Sequence, residues 1–173
     1  MPEIAINWEN KYPAFFERFG EEIVGTEQIH GDGAILLRPG KIREVVQYLK
    51  DESSPRFEMM MDLFAMDYLK YEPEKPERFA VVYLFYSFVS HEHFRLKVYL
   101  PEAKAGIDSI HDIYAAANWN EREAWDLFGI TFAGHPNLVR ILCHTEFVGH
   151  PLRKDYPSDQ YQRLKIAAPS TGF

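Results

Sequence analysis

Residues 79–88, FAVVYLFYSF, form the longest apolar run in the chain, broken only by Ser87. The run falls far short of the ~20 residues of a membrane-spanning helix. It is apolar at both parities, so residues 79–89 read as a strand covered on both faces. A sheet built around such a strand needs a layer on each side. Helices of the same domain can supply one layer; the other needs more helix or another protein. The alternation that follows, with Phe94, Leu96, Val98 and Leu100 set between Arg95, Lys97 and Tyr99, predicts a half-exposed partner strand.

Material for the helical layer lies upstream. Trp8, Tyr12, Phe15, Phe16 and Phe19 recur at helical spacing up to Gly20, which predicts an N-terminal amphipathic helix with Pro13 in its first turn. Residues 21–30 and 34–37, separated by Gly31, Asp32 and Gly33, read as a hairpin. Ile42, Val45, Val46 and Leu49 predict a second helix, started near Pro39 and dissolved at Ser53, Ser54 and Pro55. Residues 57–69, rich in Met and Phe, read as a strand although Asp62 and Asp67 interrupt them, and residues 72–77 are a loop. Ser109 with Asp112 at i+3 predicts a short helix bearing Ile110, Ile113, Tyr114 and Ala117 on one face, linked by Asn118, Trp119 and Asn120 to the next helix.

At 173 residues the chain fits one domain that buries roughly 70% of its unfolded surface. Hydrophobic content of 46% with 15% aromatics argues for a packed core, and the surplus of Phe and Tyr points to a partner surface. Residues 1–77 carry 16 acids against 9 bases, which accounts for the whole net charge of −7. Nucleic acid and anionic membrane surfaces need clustered Lys and Arg, so neither is expected as a direct partner; a solvated acidic face is the plainer reading. No apolar or Arg-rich targeting segment precedes Trp8, and the chain is expected to be soluble and cytoplasmic.

The single cysteine, Cys143, excludes an intrachain disulfide and a self-contained iron–sulfur cluster, which takes about four protein ligands. As a nucleophile beside His144 it fails on geometry, because neighbours on an extended chain point to opposite faces; it is expected to pack as a small apolar residue. His91 and His93 are the best metal pair among the histidines, pointing the same way on a strand, but no third ligand lies near in sequence. Gly31-Asp32-Gly33 lacks the further glycine and helix start of a dinucleotide loop. Glu121, Glu123 and Asp126 resemble an acid/base group, yet Arg122 or a helix N-terminus lies close to each and is expected to keep it ionised. No catalytic constellation emerges.

Residues 121–157, EREAWDLFGITFAGHPNLVRILCHTEFVGHPLRKDYP, hold charge, aromatics, glycine and proline more densely than a core requires. Asn120 and Glu123 have the form of a capping box, Arg122 and Asp126 face one another at i,i+4, and Gly129 supplies the stop. Beyond it Gly134-His135-Pro136 and Gly149-His150-Pro151 make two similar turns. Arg140 and the run Arg153-Lys154-Asp155 sit on a backbone with few alternatives, where a rigid guanidinium can pair bidentately with carboxylate or carbonyl groups. The partner is either another chain or an intrachain acid such as Glu121 or Asp126, and the two readings are compatible. Order in such a loop must come from contacts.

The groups Glu121-Arg122-Glu123, Asp126-Leu127-Phe128-Gly129, Gly134-His135-Pro136, Arg140-Ile141-Leu142 and Gly149-His150-Pro151-Leu152-Arg153-Lys154-Asp155-Tyr156-Pro157 resemble the signature of the peripheral-arm C-subunit family of NADH:quinone oxidoreductase, respiratory complex I. Upstream the similarity lies in the order of elements and in weak motifs such as Ala65-Met66-Asp67-Tyr68; Val139 stands where the family often has a second basic residue. The resemblance implies a non-catalytic structural subunit of the peripheral arm, on the cytoplasmic side of the bacterial inner membrane. Its neighbours would be the quinone-site D-subunit and the subunit that holds the terminal iron–sulfur cluster, with membrane contact only through the complex. It implies no cofactor on this chain, whereas the complex uses FMN, iron–sulfur clusters, NADH and quinone and couples electron transfer to proton translocation. Related domains in membrane-bound hydrogenases and other quinone dehydrogenases supply the alternative; a stand-alone metal hydrolase built on His91 and His93 is the remote one.

The residues themselves support an α+β fold with a mixed or antiparallel sheet, flanking helices and an extended C-terminal segment. Residues 1–120 form the core domain, residues 121–157 a signature helix and ordered loop packing on core and partner subunits, and residues 158–173 a tail without a core of its own.

Overall fold

The computed structural model describes residues 7–29, 32–159 and 161–162. Two short helices come first, α1 (Trp8–Lys11) and α2 (Pro13–Phe19), where the aromatic spacing predicts one. Tyr12 lies between them at φ −130° and ψ 60°, because a residue before proline is driven out of the α region. Pro13 therefore opens a second helix instead of sitting in the first turn of a longer one. The aromatic stripe survives the break: Trp8, Tyr12, Phe15 and Phe19 are all buried, and Tyr12 and Phe15 meet Phe94 edge-on.

The hairpin of β1 (Ile23–Ile29) and β2 (Asp32–Leu37), then α3 (Ile42–Asp51), β3 (Met59–Asp67), β4 (Phe79–Tyr86) and β5 (His93–Leu100), follow in the expected order, with β2 starting at Asp32, inside the stretch expected to separate the two strands of the hairpin. Gly33 lets the hairpin lie on Trp8, for a Cβ there would come within 2.3 Å of the indole ring. The strands make one mixed sheet in the order β1-β2-β5-β4-β3, with β2 parallel to β5 and the other neighbours antiparallel.

Phe79, Val81, Tyr83 and Phe85 point to the inner face and are wholly buried in a core shared with α1, α2 and α3. Ala80 and Val82 point outward and are buried as well. Val82 stands in register between Phe64 and Lys97, which line the same cleft. Lys97, expected to be half-exposed, is only 5% exposed. Its ammonium bonds Glu27 Oε2 at 2.6 Å, while the Tyr99 hydroxyl donates to Glu27 Oε1 at 2.7 Å. Strand β4 thus reaches burial on both faces over Phe79–Tyr83, with an outer layer made of long side chains from its own sheet.

Two short strands carry too few residues to show a period. β6 (Gly106–Asp108) and β7 (Thr131–Ala133) pair in parallel on either side, in sequence, of α4 (Ala117–Phe128). The short helix expected from Ser109 does not form: residues 111–116 make turns in which the N–H groups of Ile113 and Tyr114 both bond the Ile110 carbonyl. Ser109 and Asp112 are taken by other partners. The Ser109 hydroxyl donates to Glu121, and Asp112 receives both terminal nitrogens of Arg43, at 2.8 and 2.7 Å. Helix α4 accordingly begins at Ala117, and Asn120, expected to cap it, lies inside it with its side-chain amide donating to Asp62 Oδ1 at 2.9 Å.

Candidate functional site

Helix α4 ends where Gly129 takes a left-handed conformation at φ 77° and returns its N–H to the Trp125 carbonyl at 2.8 Å. Glycine is required there twice over, since a Cβ would also meet the His150 ring at 2.6 Å and Arg153 Nη2 at 2.7 Å. One turn before the stop, Asp126 is wholly buried and organises the chain beyond it. Its Oδ2 accepts three successive backbone N–H groups, from Ile141 at 3.0 Å and from Leu142 and Cys143 at 2.9 Å each, while Oδ1 pairs with Arg140. Burial alone would raise this carboxyl, but those donors outweigh it and hold it down at about 2.

Arg140 reaches on to the Gly149 carbonyl at 2.9 Å and lies over the rings of Trp125 and Phe147. The i,i+4 pair expected between Arg122 and Asp126 is absent. Arg122 instead donates to the carbonyls of Val139 and Arg140, each at 3.1 Å, so Val139 contributes its backbone where its side chain departs from the family pattern. Both Gly-His-Pro turns send an imidazole back to α4: His135 Nε2 lies 3.1 Å from the Asn118 carbonyl near its start, and His150 Nδ1 lies 3.0 Å from the Asp126 carbonyl near its end.

A second carboxylate fastens the far end of the loop. Asp67, at the end of β3, accepts Arg78 Nη2 at 3.0 Å and the backbone N–H of Lys154 at 2.9 Å. Arg78, 8% exposed in its side chain, also pairs with Glu102 and Asp155. Arg153 donates from Nε to the Phe128 carbonyl at 2.6 Å with its guanidinium over the Phe79 ring, and Leu152 N–H bonds the Leu127 carbonyl at 3.0 Å. Tyr156 stacks on Phe147, and Gln162 closes over Val148 through both its N–H and its carbonyl. The tail is therefore folded back as far as Gln162; the rest of the expectation for residues 158–173 lies outside the described residues.

Large apolar side chains are among those this scaffold turns outward, beside charged ones such as Glu123, Glu146 and Lys154. Leu142 is 61% exposed, Val148 71% and Leu152 49%, with Val139 and Trp119 exposed beside them.

Residues 35–162 match the family described as respiratory-chain NADH dehydrogenase, 30 Kd subunit. The chain belongs to that family. The C-subunit of NADH-quinone oxidoreductase from Rhodobacter capsulatus is 40% identical over 144 residues, covering 83% of this chain and 70% of the relative. Its counterpart from Citrifermentans bemidjiense is 42% identical over 141 residues, covering 82% and 84%. Among solved structures, the trypsin-resistant fragment (1-134) of Nqo5 superposes with a TM-score of 0.62 at 34% identity, over 72% of this chain and 99% of the fragment. A chain of the membrane-bound sulfane sulfur reductase, an archaeal respiratory membrane complex, has a TM-score of 0.64 over 88% of this chain at 23% identity, and shares the fold.

For a member of the 30 Kd subunit family, the signature residues fall into four placements. Asp126, Gly129, Arg140, Gly149, His150 and Arg153 converge on the end of α4, with Tyr156 stacked on Phe147 within the loop, while Lys154 and Asp155 join the Asp67–Arg78 anchor through a backbone N–H and a carboxylate. Glu123, Pro136 and Pro157 are exposed. Glu121 turns the other way, into the core, and is not held ionised as the nearby Arg122 led us to expect; burial drives its carboxyl up to about 7. Arg78 and Arg43 gave no signal in the sequence and Ser109 signalled only a helix start, whereas Asp67 showed itself as an acid breaking an apolar strand.

The metal and nucleophile readings find no support in the geometry. His91 Nδ1 meets the Tyr86 hydroxyl at 3.0 Å, and Glu92 turns to Lys11 and Tyr12. Among the described residues, no three His, Cys, Asp or Glu side chains are grouped to hold a metal. Burial pushes the Cys143 thiol up, away from the thiolate a nucleophile needs.

Proposed function

We propose that the chain is a structural subunit of the peripheral arm of proton-translocating NADH:quinone oxidoreductase, holding neighbouring subunits in register and carrying no catalytic site of its own. Flavin, iron–sulfur clusters, NADH and quinone belong on this reading to other chains of the complex. The quinone-site D-subunit and the subunit of the terminal cluster are the neighbours, and the assembly lies on the cytoplasmic side of the bacterial inner membrane. Among the described residues, no helix is long and apolar enough to cross a membrane. Residues 1–120 act as the core, and residues 121–157 as the docking segment.

The observation that carries this reading is the fixing of Ile141, Leu142 and Cys143 through their backbone N–H groups on buried Asp126, which leaves the Leu142 side chain 61% exposed. A surface that is already ordered gives up little conformational entropy when a partner covers it. Leu142→Asp tests it. The isolated variant should fold like the wild type, whereas the tagged variant, drawn from gently solubilised membranes, should lose the flavin and iron–sulfur subunits and NADH-driven quinone reduction. Normal companions and normal activity would overturn the docking role. Companions of hydrogenase type around the wild-type chain, without NADH activity, would move it to a related complex.

A further inference from the structure

Glu121 takes no part in the docking loop. It points from α4 into the core, wholly buried, where Oε1 accepts the Ile110 N–H at 2.7 Å and Oε2 the Ser109 hydroxyl. Arg43, on α3, attracts it from a distance but is committed to Asp112 and to the Ser109 carbonyl, and Asp112 itself disfavours a second negative charge. From β4 the Tyr83 phenol, fully buried and without a hydrogen-bond partner, feels the charges of Glu121 and of Asp108 on β6. An anion in this setting is costly, and a neutral acid is not.

The same Ser109 hydroxyl lies 3.0 Å from His111 Nδ1. Ser109 and Glu121 are wholly buried, but the His111 ring is half-buried and reaches the surface. We infer that Glu121 is a proton-binding site of this chain, loaded and unloaded through Ser109 and His111. With Glu121 ionised, His111 Nδ1–H donates to Ser109 Oγ and the hydroxyl donates to Oε2. A proton arriving from solvent on His111 Nε2 lets Nδ1 release its own proton to Oγ while Oγ passes its proton to Oε2. The ring ends neutral with its proton on Nε2, Glu121 ends as the acid, and the donors of the chain run the other way. Only O–H and N–H bonds change, and one proton is taken up.

Titration of the glutamate side-chain carboxyls of the whole chain by carbon-13 NMR tests the site without any other protein present. One carboxyl, assigned through its own backbone connectivity to Glu121, should titrate in the neutral range, and its signal should be lost in Glu121→Gln. Ser109→Ala removes a donor to the carboxylate, so the midpoint should move further up while proton exchange slows. His111→Phe should slow exchange and leave Glu121 titrating near neutral. A Glu121 carboxyl in the ordinary range near 4.3 would overturn the site. Exchange unchanged in both Ser109→Ala and His111→Phe would overturn the route.

Discussion

Asp126 and Glu121 stand on one helix, both without exposed surface, and their surroundings treat them in opposite ways. Asp126 receives three backbone N–H groups and a guanidinium and stays charged; Glu121 receives one N–H and one hydroxyl and is pushed toward the neutral acid. Burial by itself therefore does not set the state of a carboxyl, because the number of donors that converge on it can outweigh desolvation. The difference is structural as well as electrostatic. The Asp126 end of α4 fixes a loop that leaves Leu142, Val148 and Leu152 exposed, and the Glu121 end closes a turn inside the domain.

The largest test of this contrast is Asp126→Ala. It leaves the Arg140 guanidinium without its counter-charge and three N–H groups without an acceptor, a loss of ~3 to 5 kcal/mol. Denaturant unfolding, together with proteolysis of residues 134–157, measures it; an effect on the scale of a surface mutation would erase the distinction between the two acids.

Next comes pH. Between about 4.5 and about 7 the folded chain holds a proton on Glu121 that the unfolded chain has released, so stability falls as pH rises through that window, by at most about 3 kcal/mol. Asp126 has the opposite sign: its contribution is full above the ordinary aspartate range and is lost as pH falls toward about 2. Thermal unfolding against pH should show both limbs, with Glu121→Gln flattening the neutral one and leaving the acid one.

Gly129→Ala sharpens the Asp126 side. A side chain at φ 77° that also meets His150 and Arg153 should cost ~1 to 3 kcal/mol and loosen the loop without unwinding α4. Hydrogen exchange of the Leu152 and Arg153 amides against those of α4 separates the two effects, and equal protection loss throughout would contradict it.

The smallest effect belongs to the Glu121 side. Tyr83→Phe removes a buried hydroxyl that has no partner, and should leave stability unchanged or raise it by ~1 kcal/mol. A clear loss in calorimetry would mean that the hydroxyl is bonded after all.

Strand β5 and α3 were legible because their burial repeats with a period: Phe94, Leu96, Val98 and Leu100 face one way, and Ile42, Val45, Val46 and Leu49 share one face, while β4 was legible as an unbroken apolar run. The end of α4 was legible because Gly129 is the residue a left-handed cap needs. The dense charge and turn pattern of residues 121–157 marked an ordered loop for the same kind of local reason. Its pairing was not legible. Asp126 was one of two candidate partners for the loop arginines, and nothing local tells it from Glu121.

What the sequence by itself determined, then, are the features set by neighbours along the chain: strand and helix periods, the break that Pro13 imposes, the stop at Gly129. Which partner each buried charge finds was decided only by the tertiary structure, which brings Ser109 to Glu121, Ile141 to Asp126, and Lys154 with Arg78 to Asp67. The reason is physical. A hydrogen bond requires atoms within about 3 Å, and residues far apart in sequence reach that distance only after the sheet and α4 have packed. The desolvation that drives the Glu121 carboxyl up, and that the donors to Asp126 outweigh, exists only once the core has closed around them.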